Sequence, residues 1–149
     1  MHVRKMGVDY GEKRIGIAVS DPLGFTARGI LTIYWNGTDI DRPVERIGEL
    51  CAEYEVDTVV VGLPRRTDGK PSLTAEKAIM FAEKIKTRVK ASVIMRDERY
   101  TSVLAGRILR EKGKGRDRKS GEADMMAAEI LLSDYLRSIK DANNNGFDQ

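Results

Sequence analysis

The sequence predicts an α/β domain built on a mixed five-stranded sheet with helices on both faces. Three observations carry this. Met6, Val8 and Tyr10, then Ile15, Ile17 and Val19, keep a period of two on either side of a short polar turn, as in the strands of a hairpin. Thr58, Val59, Val60 and Val61 form a continuous β-branched run, the pattern of a central strand covered on both faces. Stretches of helical periodicity separate that run from the other late apolar segments.

Taken in order, the opening hairpin is followed by a third strand over 28–35, carrying Ile30, Leu31, Ile33 and Trp35 and closed by Asn36 and Gly37. Asp39, Asp41 and Pro43 mark a helix start, with Val44, Ile47, Leu50, Cys51 and Tyr54 on one face. The fourth strand ends in a loop over 62–66. Asp68, Gly69, Pro71 and Ser72 turn the chain into a second helix with Ala78, Ala82, Ile85 and Val89 inward. Residues 92–95 make the fifth strand, running into Arg96, Asp97, Glu98 and Arg99. Thr101 or Ser102 can cap a third helix. Ser120 caps the last one, where Ala127, Ala128, Leu131, Tyr135 and Leu136 share a face, and Asp124 lies in line with that inward stripe. This organisation gives a single domain over 1–140 and a polar tail over 141–149, read as disordered.

The chain has 149 residues, 41% of them apolar, enough for one sizeable core. No apolar run reaches the length of a membrane span, so a soluble, unexported protein with no membrane partner is expected. The one cysteine, Cys51, falls on a helix stripe, where a buried, inert thiol is the expectation. The one histidine, His2, is next to the terminus, which argues against a mechanism with a histidine base. Net charge is +3, but residues 110–119 hold six basic side chains against Glu111 and Asp117, a local +4 that leaves the rest of the chain at −1. With Gly113 and Gly115 inside it, that segment reads as a mobile basic loop of the kind that meets phosphates; an ordinary solvated loop is the alternative.

Right-handed crossovers make the first, fourth and fifth strands parallel, so their carboxyl ends share one edge. Asp9, the 62–66 loop and Asp97–Glu98 meet there, at the edge where ligands of open α/β sheets bind. Asp9 is also open to the plainer reading of a turn residue in Asp-x-Gly. With a loop over 10–13 and a positive φ at Gly11, Asp9 would lie opposite Arg14 and Gly7 opposite Gly16, leaving the Asp9 face bare enough for a substrate backbone. Asp9, Glu98 and Asp124 together form an acidic cluster that calls for protons or cations. Two hard divalent ions about 3.5–4 Å apart can hold the attacking and leaving oxygens of a phosphodiester.

These residues resemble the YqgF family, also called RuvX. The likeness runs from Asp9-x-Gly11-x-Lys13-Arg14-Ile15-Gly16-Ile17-Ala18-Val19-Ser20-Asp21, through Val59-Val60-Val61-Gly62-Leu63-Pro64 with Asp68-Gly69, to Asp97-Glu98-Arg99-x-Thr101-Ser102 and Asp124-x-x-Ala127-Ala128-x-Ile130-Leu131. The resemblance implies an RNase H-like fold related to RuvC, and a nuclease of the bacterial cytoplasm that matures the 5′ end of pre-16S rRNA in ribosome biogenesis. Carried over position by position, it makes Asp9, Glu98 and Asp124 the catalytic, metal-binding carboxylates. RuvC-like enzymes carry an acid after the fourth strand, where this chain has Gly62-Leu63-Pro64 and no carboxylate before Asp68.

The mechanism expected is two-metal hydrolysis with Mg²⁺ or Mn²⁺. Asp9 would bridge the ions, Glu98 and Asp124 would hold one each, and water would be the nucleophile. Lys13, Arg14, Arg99, Lys112, Lys114 and Arg116 are the candidate substrate contacts, positioning a nucleic-acid backbone without reading its sequence. The partner would be precursor rRNA or a four-way DNA junction, and the protein a monomer or homodimer. Two other classes stay open: an ATP-using phosphotransferase with an Asp-x-Gly hairpin, for which the chain supplies one lobe, and a non-catalytic nucleic-acid-binding module.

Overall fold

The structure, a computed structural model, describes residues 4–63, 73–97 and 120–146. Five strands, β1 (Arg4–Asp9), β2 (Arg14–Ser20), β3 (Ala27–Tyr34), β4 (Val56–Leu63) and β5 (Ser92–Asp97), form one sheet in the order β3-β2-β1-β4-β5. β1 to β3 are antiparallel neighbours, and β4 and β5 run parallel to β1, as the crossover rule requires. The helices are α1 (Asp41–Glu53), α2 (Leu73–Arg88) and α3 (Ser120–Gly146). The helix expected after Thr101, the turn at Asp68 and Gly69 and the basic loop over 110–119 lie outside the described residues.

The period of two sorts the strands onto two unlike faces. Met6, Val8, Ile15, Ile17, Val19, Val59 and Val61 are buried under α1 and α2, against Ile47, Leu50, Phe81 and Ile85. The other face is nearly bare of bulk. It carries Gly7, Gly16, Ala18, Gly29 and Val60, and α3 lies on it through Ala127, Ala128, Leu131, Leu132 and Leu136. Phe81 is among the largest fully buried side chains and completes a cluster with Tyr10 and Trp35, at ring separations of 5.1 and 6.2 Å. Neither Phe81 nor Leu132 is needed to define its helix from the sequence, because an aliphatic stripe is already sufficient for each.

Small residues let α3 come close. A Cβ on Gly7 would sit 2.8 Å from the carbonyl oxygen of Ala128, one on Gly29 would sit 2.9 Å from that of Met125, and one on Gly16 would collide with the backbone carbonyl of Asp124. These glycines lie on three adjacent strands, and together they form the seat of the helix.

α3 also runs further than its apolar stripe. It continues to Gly146, six residues into the segment read from composition as a disordered tail. Once a helix is nucleated and packed, each further residue adds a backbone hydrogen bond at little cost, so polar residues can extend it without a core contact of their own.

Gly16→Ala is expected to lower the free energy of unfolding by about 1–3 kcal/mol, because the helix backbone must shift to admit one methyl group. Urea denaturation followed by circular dichroism measures this; an unchanged midpoint would mean that α3 is not seated on Gly16.

Candidate active site

Asp9 is the last residue of β1, and alternation turns it, like Gly7, to the α3 face of the sheet. It is 4% exposed, one of two buried polar side chains in the described core. The ladder pairs Asp9 with Gly16 and Gly7 with Ala18, so the expected pairing of Asp9 with Arg14 is corrected by two residues. Arg14 and Ile15 extend beyond the end of β1 and pair with Tyr34 and Ile33 of β3 instead.

Trp35 accounts for that shift. Its backbone N–H donates to the Lys13 carbonyl at 3.1 Å and its indole Nε1 donates to the Gly11 carbonyl at 2.9 Å, which draws the 10–13 loop toward β3. Lys77 of α2 ties down Glu12 at 3.1 Å. Gly11 does not take the positive φ expected of it; a side chain there would collide with the carbonyl of Arg14, so close approach is what the position requires. Burial raises the Tyr10 hydroxyl pKa above its ordinary value, with the charge of Glu12 adding to the effect, so the cluster under the loop stays neutral.

Asp124 comes to the same place from the helix. Its backbone carbonyl lies against Gly16, the ladder partner of Asp9, so the two carboxylate-bearing residues flank one glycine. The Asp9 face is therefore covered by α3 at Gly16 and is not the bare surface expected. The side chain of Asp124 accepts a hydrogen bond from Arg14 Nε at 2.9 Å. Thr32 Oγ1 donates to the Gly121 carbonyl at 2.6 Å, and the Tyr34 hydroxyl fills the space a Gly121 side chain would need. Thr32 and Tyr34 thus fix the first turn of α3, a role not visible in the sequence: their alternation marks them only as strand residues, and nothing local shows which helix end lies above.

At the same edge, β4 and β5 end side by side, with Leu63 paired to Asp97. Asp97 is the last residue of β5. Lys13 is exposed in the hairpin loop and Arg14 stands beside Asp124. Glu98, Arg99, Lys112, Lys114 and Arg116 lie outside the described residues. Cys51 is buried on α1, as its stripe position implied. Burial pushes its thiol up to about 11, against a smaller opposing pull from Arg88, so it is protonated and unreactive near neutrality. A cavity of about 530 Å³ between β3 and α1, lined by Ile33, Tyr34, Arg42 and Arg46 among others, opens on the α1 side, across the sheet from the carboxylates.

Carboxylates are hard oxygen donors of the kind Mg²⁺ and Mn²⁺ take, and Asp9 and Asp124 both border Gly16. Among the described residues no group of three or more His, Cys, Asp or Glu is placed to hold a metal. The donor chemistry fits a divalent cation, with Glu98 the expected third ligand. Among the described residues no helix is long and apolar enough to cross a membrane.

Residues 3–138 match the family described as RuvX, Holliday junction resolvase. A relative from Acetivibrio thermocellus, named "Putative pre-16S rRNA nuclease", is 44% identical over 137 residues, spanning 91% of this chain and 96% of that protein. One of the same name from Clostridium acetobutylicum is 42% identical over 137 residues, spanning 92% of this chain and all of that protein. Among solved structures, T. thermophilus RuvC in complex with Holliday junction substrate superposes with a TM-score of 0.61 at 16% identity, covering 93% of this chain and 96% of that one. The architecture is the RNase H-like fold of RuvC, with helices on both faces of a mixed sheet.

Proposed function

The chain belongs to the RuvX family, and from that premise we propose that it is a metal-dependent nuclease of the cytoplasm that processes the 5′ end of pre-16S rRNA. The observation that supports this chemistry is that Asp9 and Asp124, from distant parts of the chain, both border Gly16 at the carboxyl edge of the sheet. The choice of RNA rests on the names of relatives that match nearly end to end at above 40% identity. Cleavage of a four-way DNA junction is the second reading, favoured by the family description and by the fold shared with RuvC.

Asp9, Asp124 and Glu98 would hold Mg²⁺ or Mn²⁺, which supplies charge stabilisation at the phosphate and lowers the pKa of water. The chain's own residues do the rest. Asp9 is rigid at a strand end, and Asp124 is fixed by the helix seat, so both are preorganised before substrate arrives. Lys13 and Arg14, on the hairpin at the rim, would meet a phosphodiester backbone by charge alone, and Arg99, Lys112, Lys114 and Arg116 are the further candidates for such contacts. No step needs a histidine, and the chain has none beyond His2.

With end-labelled precursor rRNA bearing its 5′ extension, Asp9→Asn and Asp124→Asn should each reduce Mg²⁺- or Mn²⁺-dependent cleavage about a thousandfold or more, several kcal/mol of transition-state stabilisation, at unchanged circular dichroism. Cleavage retained by Asp9→Asn would overturn the assignment. Symmetric nicking of a labelled four-way junction, with the RNA left intact, would favour the second reading. Replacing Lys112, Lys114 and Arg116 together by Gln should weaken RNA binding and reduce the slope of log affinity against log salt by roughly two to three; an unchanged slope would remove that segment from the interface.

A further inference from the structure

Arg14 has a second relationship at this site besides its place on the rim. It is the first residue of β2, on the α3 face, and its Nε donates to Asp124 Oδ2 at 2.9 Å. The bond uses Nε alone. By contrast, Arg88 grips Glu45 with two nitrogens, Nε and Nη2, each at 2.8 Å, as expected of a structural pair between α1 and α2. Arg14 is 44% exposed at the side chain and Asp124 22%, so water reaches the pair and its hold is weak. Among the described residues the two terminal nitrogens of Arg14 make no hydrogen bond, and a guanidinium presents them in the fork that fits a phosphate.

We propose that Arg14 is a positioning residue that acts as an internal counter-cation on Asp124: it occupies one carboxylate oxygen in the metal-free protein, competes there with the divalent cation, and passes to substrate phosphate as the cation is taken up. The inference rests on the metal-binding reading of Asp9 and Asp124. Its sign follows from how Asp124 is held. The backbone of that residue is fixed by the contact with Gly16 and by Thr32 on Gly121, neither of which involves Arg14. Removing the guanidinium therefore leaves the carboxylate in place and takes away a positive charge beside it. A unit charge about 5 Å from a divalent ion, partly screened by water and salt, is sufficient to change affinity by about threefold to tenfold. By linkage, a phosphate that draws Arg14 away raises cation affinity, and the cation raises affinity for the phosphate to the same degree.

The test is a double-mutant cycle on Mn²⁺ binding to the full chain, read by the electron paramagnetic resonance signal of free Mn²⁺ at fixed pH and ionic strength, with no nucleic acid present. Arg14→Gln should bind Mn²⁺ about threefold to tenfold more tightly than the native protein, Arg14→Lys should lie between them, and in the Asp124→Asn background Arg14→Gln should change affinity less than twofold. Unfolding midpoints of the same variants separate a charge effect from a loss of structure, and Arg14→Lys keeps the charge should Arg14→Gln be unstable. Unchanged or weaker Mn²⁺ binding by Arg14→Gln, while Asp124→Asn weakens it, would overturn the counter-cation role and leave the metal site standing. Mn²⁺ binding that neither Asp9→Asn nor Asp124→Asn affects would overturn the metal reading and this inference with it.

Discussion

Everything that makes this sheet edge a candidate site depends on one close contact, the backbone of α3 lying against Gly16. Side chains on both surfaces normally hold a helix and a sheet apart. Here Gly7, Gly16 and Gly29 remove the spacers from three adjacent strands, and the carbonyls of Ala128, Asp124 and Met125 occupy the space. The small-residue face is thus a docking track, and its position sets which helix residues reach the edge. Asp124 is one turn ahead of Ala128, so the helix contact at Gly7 and the Asp124 carbonyl over Gly16 are two expressions of the same register.

The two faces divide the labour between stability and chemistry. Bulk is concentrated on the α1 and α2 side, where Met6, Ile15, Ile17, Phe81 and Ile85 are fully buried. The Tyr10–Trp35–Phe81 cluster belongs to that side, yet it reaches the site by way of the hairpin loop, because Trp35 takes the Gly11 and Lys13 carbonyls. A rigid loop follows, with Lys13 and Arg14 at its end. The opposite face gives up side-chain volume and gains proximity, which is what two like charges need if they are to share a cation.

Much of this was legible in the residues. The period of two in 6–19 and the β-branched run at 58–61 dictated the sheet, and crossover handedness brought Asp9 and Asp97 to one edge. Asp124 was legible through its place in line with Ala127 and Ala128. What the sequence could not show was register. Nothing local says that Trp35 draws the hairpin loop toward β3, so Asp9 was expected opposite Arg14 and is opposite Gly16. The same blindness made the glycines read as room for substrate when they are room for a helix. Thr32 and Tyr34 escaped notice because their partner, Gly121, is 89 and 87 residues away along the chain, and Gly146 ends a helix that composition placed in a disordered tail.

The proposed metal site needs the glycine seat to bring Asp9 and Asp124 to one cation. A crystal grown with Mn²⁺ and measured for anomalous scattering tests it without recourse to activity. A peak bonded to carboxylate oxygens of both Asp9 and Asp124, on the α3 face beside Gly16, is the expected result. Mn²⁺ bound elsewhere, with those two carboxylates engaged only by protein groups, would contradict it.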